Sequence, residues 1–218
     1  MLRSNLANGS ATLHKEPVNR RACEYLRGCD AALAPWMDRI GPIKHKARRL
    51  PPFHGLVRAI IHQQLSNKAA GSILRRFLAL FPNEDFPTPE QLLALAPETL
   101  RAAGLSRAKT IYVRDTATKA LEGIVPSLDE VDALNDEEII TRLTQIKGVG
   151  RWTVEMLLIF DLARPDVLPV HDLSIRKGFK AVFGKRKLPE PETVHRYGEL
   201  WKPHRTTASL YLWEASVL

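Results

Sequence analysis

Asp172 follows Pro169-Val170-His171 and leads into Leu173-Ser174-Ile175, so its carboxylate stands at the start of a helix among Leu168, Val170, Leu173 and Ile175. An Asp in this place can cap the helix. Sheltered by apolar neighbours, it can also serve as a fixed anion beside developing positive charge, or as a base that readies water. The two uses are compatible. Shelter decides the second, because a unit charge pair at about 4 Å is worth roughly 1 kcal/mol in water and about 4 kcal/mol at an effective dielectric near 20. A second candidate lies between Leu143 and Leu158, where one amphipathic helix stops at Lys147-Gly148-Val149-Gly150 and another begins at Arg151. The two glycines predict a tight turn with positive φ and exposed N–H groups. Those groups open onto a helix N-terminus, whose partial positive charge suits a phosphate, and Lys147 and Arg151 flank it. A plain helix–helix corner would read the same way locally. Trp152 and Trp213 are either core fillers or electron-rich faces for a cationic planar ring.

The elements that must position these groups are helical, since alternation of period two is nearly absent. Thr88-Pro89-Glu90-Gln91 and Ser127-Leu128-Asp129-Glu130 both read as capping boxes, and Asn135 to Glu138 load the first turn of a helix expected to end near Ile146. Leu56, Ala59, Ile60 and Gln63 mark one helical face; Ser66 caps a further helix with a stripe of Ala69/Ala70, Ile73, Phe77 and Leu80/Phe81. Gly104 is a helix stop and Ser106 the next cap. Residues 1–16 read as a mobile lead-in, with a helix starting near Pro17 and running through Ala22, Tyr25 and Leu26. Breaks at Gly41-Pro42, Pro51-Pro52 and Arg164-Pro165 are domain corners. The expectation is an all-α fold of two interleaved lobes, 17–50 with 164–218 and 51–163, with the active-site cleft between them.

A net charge of +8, from 32 Lys and Arg against 24 Asp and Glu, favours polyanionic partners. Only Cys23 and Cys29 are present, which excludes a four-cysteine cluster and gives no disulfide framework. No segment approaches the ~18 apolar residues of a bilayer span, and the polar start lacks the apolar centre of a signal peptide, so no membrane partner and a cytoplasmic protein are expected. Nothing has the His/Cys/Asp spacing of a zinc or catalytic magnesium site.

From about residue 50 to 218 the sequence resembles the helix-hairpin-helix (HhH-GPD) DNA glycosylase superfamily, in particular its 3-methyladenine DNA glycosylase II branch. The resemblance is carried by Phe53 to Arg75, with Ile60-Ile61-His62-Gln63-Gln64-Leu65-Ser66 inside it; by Gly104 to Lys109; by the hairpin; by Leu168 to Phe179; and by Trp201 to Arg205 with Trp213. It implies a monomer acting on double-stranded DNA that contains alkylated bases, by base flipping and Asp-assisted hydrolysis, in the nucleoid or nucleus. Asp172 takes the catalytic position, in preference to Asp161 or Asp166. Trp152, Trp213 and Met156 take positions in the base pocket, although Met156 and Glu214 stand where further pocket tyrosines are expected. Gln64 takes the place of the wedge that fills the gap in the stack; a solvated loop is its bland alternative. Lys147, Gly148, Val149, Gly150, Arg151 and Thr153 would hold the strand. Strand-cutting members carry a nucleophilic Lys where this chain has Trp152, which implies a monofunctional enzyme. No cofactor is required, although the carbonyls of Thr144, Ile146 and Val149 could bind Na⁺ or K⁺. Two alternatives stand: a DNA-binding module without turnover, and a glycosylase for uracil or oxidised bases.

Overall fold

Pro at the first turn, a Ser, Thr or Asn cap and an apolar stripe recur along this chain, and each recurrence starts a helix. The structure, a computed structural model, describes residues 20–218, so the lead-in at 1–16 and the start near Pro17 lie outside the described residues. Among those described, all regular structure is helical: α1 (Arg20–Cys29), α2 (Ala34–Ile40), α3 (Pro52–His62), α4 (Asn67–Leu78), α5 (Pro89–Ala94), α6 (Pro97–Ala102) and α7 (Arg107–Leu121). There follow α8 (Leu128–Ala133), α9 (Asp136–Leu143), α10 (Arg151–Phe160), α11 (Leu173–Val182), α12 (Pro191–Gly198), a 3₁₀ turn at Glu199–Trp201, and α13 (Arg205–Ala215).

The local signals act as their chemistry requires. Both expected capping boxes are complete, with the cap side chain accepting from the third backbone N–H and the Gln91 or Glu130 side chain accepting in return. A third forms between Asn135 and Glu138 at the start of α9. Ser66 and Ser106 cap α4 and α7 through Ala69 and Lys109. The α9 helix stops at Leu143, short of Ile146, because the chain turns there into the hairpin.

Two apolar clusters form the interior. One runs from Phe53 to Val167 and is built on α3, α4, α7, α9 and α10. The other joins Leu26, Leu33 and Met37 to residues from Leu168 to Ala215. On α3, Leu56, Val57, Ile60 and Ile61 are fully buried, each worth roughly 1.5–3 kcal/mol against exposure. Trp213 packs against both clusters and so stands at their seam. In the second cluster α11 lies directly on α13. A Cβ built on Gly178 would come within 1.9 Å of the Leu212 carbonyl oxygen, so only glycine lets the two backbones meet.

Candidate active site

The seam between the clusters is where Asp172 emerges. As the N-cap of α11, its Oδ1 accepts the Ile175 N–H at 2.9 Å. Capping does not exhaust the carboxylate, which also receives two indoles. Trp213 Nε1 donates to Oδ1 at 3.1 Å and Trp152 Nε1 donates to Oδ2 at 2.7 Å. Three donors occupy three of about four lone-pair directions, and the remaining one belongs to Oδ2. The side chain is half-buried, between α10, α11 and α13. The two other carboxylates of the segment are spent on structure: Asp161 is buried and takes a bidentate pair from Arg48 at 2.5 and 2.9 Å, and Asp166 takes one from Arg205 at 2.9 and 2.9 Å.

Both indoles hold the carboxylate, which residue spacing did not reveal, and of the two only Trp152 lines the adjoining cavity; Trp213, expected in the base pocket, is not among its lining residues. Trp152 is exposed along one face and Trp213 stacks on Phe160, with centroids 5.7 Å apart. Trp152 and Phe160, with Met156 one turn along α10, line a cavity of about 1170 Å³ whose other walls include Arg58, Gln64 and Tyr112. That is ample for an extruded nucleotide.

The hairpin departs from expectation at one glycine. Gly148 has φ +77°, and a Cβ there would strike the Tyr112 ring at 2.2 Å. Gly150, also expected at positive φ, instead has φ −97° and ψ 170°, extended backbone that other residues adopt. Its place is the N-cap of α10, where no side chain caps the helix, so no cap accepts from the first-turn N–H groups of Arg151, Trp152 and Thr153. Val149 is buried and its N–H donates to the Ile146 carbonyl at 3.1 Å; the Lys147 N–H donates to Asp115 at 2.8 Å. The Lys147 ammonium stays largely exposed, 3.7 Å from the same carboxylate. Arg151, expected to face a phosphate, is held by Glu137 in a two-point pair and by Glu155 at 3.1 Å. Thr153 is buried and reaches the cavity wall rather than the outer surface.

Between α3 and α4 the chain makes a short exposed turn. Gln64 sits at its tip with φ +56°, a left-handed conformation that costs a residue with a Cβ about 1–2 kcal/mol. The Leu65 N–H closes the turn on the His62 carbonyl at 3.2 Å. Half-buried Gln63 donates from Nε2 to the Gly148 carbonyl at 3.0 Å, which ties this turn to the hairpin.

A family profile described as HhH-GPD superfamily base excision DNA repair protein matches residues 57–203. The chain belongs to the HhH-GPD superfamily. It is similar to DNA-3-methyladenine glycosylase 1 of Schizosaccharomyces pombe, 45% identical over 167 residues that make up 77% of this chain and 73% of that protein. The solved structure of the S. pombe 3-methyladenine DNA glycosylase in complex with abasic DNA superposes with a TM-score of 0.79 at 40% identity, covering 91% of this chain and 97% of that one. DNA-3-methyladenine glycosidase from Bacillus halodurans superposes with a TM-score of 0.83 at 32% identity, covering 92% and 91%.

Within this HhH-GPD site the charges are unevenly shielded. Burial pushes the Glu155 carboxyl up to about 7; the Arg151 guanidinium pulls it down, and the negative charges of Glu137 and Asp172 raise it further. Burial likewise raises Asp161 above the usual carboxylate range, with Arg48 opposing. Lys46, Arg48 and Arg58 give the cavity mouth a basic wall that motif matching overlooked. Lys46 and Arg48 lie outside every motif, Arg58 lies within the Phe53 to Arg75 stretch without having been singled out, and Arg48 is paired through a contact spanning 113 residues.

Proposed function

We propose that the protein hydrolyses the N-glycosidic bond of alkylated purines in double-stranded DNA, leaving an abasic site on an intact strand. The observation that carries this reading is the Asp172 carboxylate, held by two indoles of which one, Trp152, lines a nucleotide-sized cavity, with one lone pair of Oδ2 uncommitted. As the C1′–N bond lengthens, positive charge gathers on the sugar, and a fixed anion beside C1′ lowers the energy of that state. Water adds to C1′, the bonding electrons leave with the base, and Asp172 accepts the surplus proton from the water. A methylated purine such as 3-methyladenine or 7-methylguanine already carries positive charge, departs as a neutral base, and stacks well on Trp152. The names of the relatives reported above point to the same substrate class.

The duplex would be gripped without regard to sequence by the uncapped start of α10, with the Lys147 ammonium beside it. Gln64 would fill the gap left by the extruded nucleotide. At the hairpin the carbonyls of Thr144, Ile146 and Val149 offer oxygen ligands to Na⁺ or K⁺. The Ile146 oxygen, which accepts one N–H, keeps a second lone pair for it. Position 152 holds an indole bonded to the carboxylate, which favours water over a lysine nucleophile. One chain supplies every group named, so a monomer suffices. Its place of action is the nucleoid or nucleus. Among the described residues no helix is long and apolar enough to cross a membrane.

The test is a panel of duplexes, each bearing one lesion. Release of 3-methyladenine or 7-methylguanine is expected, with no strand break until alkali is added, and Asp172→Asn should slow it on the order of 10³-fold or more while DNA is still bound. Release by the Asn variant at the unaltered rate would defeat the mechanism.

A further inference from the structure

The turn that carries Gln64 sits on the C-terminal end of α3, where helical carbonyls run out of N–H partners and the helix dipole is negative. One side chain answers that end. Lys109 Nζ, from the first turn of α7, donates to the Ile61 carbonyl at 2.7 Å and to the Gln63 carbonyl at 2.7 Å. Among the described residues no carboxylate pairs with it; the ammonium is partly withdrawn from water, and burial lowers its pKa. The two carbonyls it clamps lie on either side of His62, whose carbonyl closes the turn beneath Gln64. Gln63, clamped through its carbonyl, reaches with its amide to Gly148.

We propose that Lys109 is a positioning residue for nucleotide extrusion: its ammonium locks the α3 end so that Gln64 is presented at the stack, and Gln63 links that turn to the strand-gripping hairpin. The proposal rests on the reading of Gln64 as the wedge. Lys109 touches neither base nor sugar. Its effect runs through the turn, so its loss weakens extrusion and leaves the Asp172 corner intact. A duplex pair that opens easily needs little wedge and is therefore little affected.

The experiment uses the full chain, with 7-methylguanine placed opposite cytosine or opposite an abasic site, and with 2-aminopurine beside the lesion to report extrusion by fluorescence. Lys109→Met should reduce the extrusion signal and slow single-turnover excision opposite cytosine by about 10–100-fold, the loss expected when a charged donor leaves two carbonyls unmet. Opposite the abasic site the slowing should stay within about threefold, and Lys109→Arg should recover part of the loss. Equal slowing on both substrates, or none opposite cytosine, would overturn the proposal. Should the Met variant not fold, Gln63→Leu breaks the link to Gly148 alone and should give the same substrate-selective pattern. A wild-type protein that extrudes without excising would fail the proposed function and leave this inference standing, whereas no fluorescence change on binding would overturn it.

Discussion

The Asp172 corner, proposed to act at the sugar, and the hairpin with its neighbouring turn, proposed to grip the duplex, are held in different ways. Asp172 is fixed by side chains from α10 and α13 and by its own helix, three donors meeting one acceptor group. The hairpin and the Gln64 turn are fixed mainly through backbone: a glycine against a tyrosine ring, an amide on a carbonyl, an ammonium on two carbonyls. Chemistry at C1′ asks for one charge at one place, which side chains from separate helices can triangulate. Gripping a sugar-phosphate chain asks for a shaped run of N–H groups, which only backbone offers.

The widest separation between these two constructions should appear at Gly148. Gly148→Ala forces a Cβ into the Tyr112 ring at an unfavourable φ, and the two penalties together amount to about 2–5 kcal/mol. The melting temperature should fall and binding to every duplex should weaken alike. Gly150→Ala meets no atom within 4 Å, so it should leave the melting temperature nearly unchanged; a fall as large as at Gly148 would remove the distinction between a steric and an extended glycine.

A smaller effect is expected at the carboxylate corner. Trp152→Phe keeps an aromatic face and deletes the donor to Oδ2, a bond to a charged group worth about 1.5–3 kcal/mol. Excision should slow by roughly 10–100-fold while DNA affinity changes little. An equal loss in affinity would show that Trp152 belongs to the gripping surface instead.

The smallest effect joins the two regions, through Glu155. Its folded pKa of about 7 lies above the unfolded value of 4.5. A carboxyl raised in this way is protonated in the fold near pH 5, and stability is lost as pH rises from about 4.5 through about 7, above which the loss levels off. Glu155→Gln should therefore be close to neutral at pH 5 and stabilising by about 1–2 kcal/mol at pH 8, after allowance for the lost bond to Arg151. Melting curves at both pH values decide it, and a variant less stable than wild type at pH 8 would show that the Arg151 pair outweighs burial.

Much of the architecture could be read from short-range signals. Thr88 with Gln91, Ser127 with Glu130, Ser66 and Ser106 each act within one helical turn, so their partners are visible from a few residues of sequence. Asp172 and its helix were legible for the same reason, and so was the aromatic character of 152 and 213. What escaped depended on long-range pairing. Nothing local tells that Arg151 will turn to Glu137, that Arg48 will turn to Asp161, or that the indole nitrogens of Trp152 and Trp213 will converge on one carboxylate. The conformation of Gly150 escaped for a different reason. Two glycines in a turn allow positive φ at both, but closing the corner requires it only at Gly148, and Gly150 is then free to begin the next helix in extended form.

Asp172 opens α11 and Trp213 stands on α13, and those two helices touch backbone to backbone at Gly178. The spacing between acid and indole is therefore gauged by a missing methyl group. A larger residue at 178 would act as a shim, spreading the two cylinders and drawing the carboxylate off its tether without altering any group that meets the nucleotide. In such a clamp the tolerance of the jaws is set at the hinge.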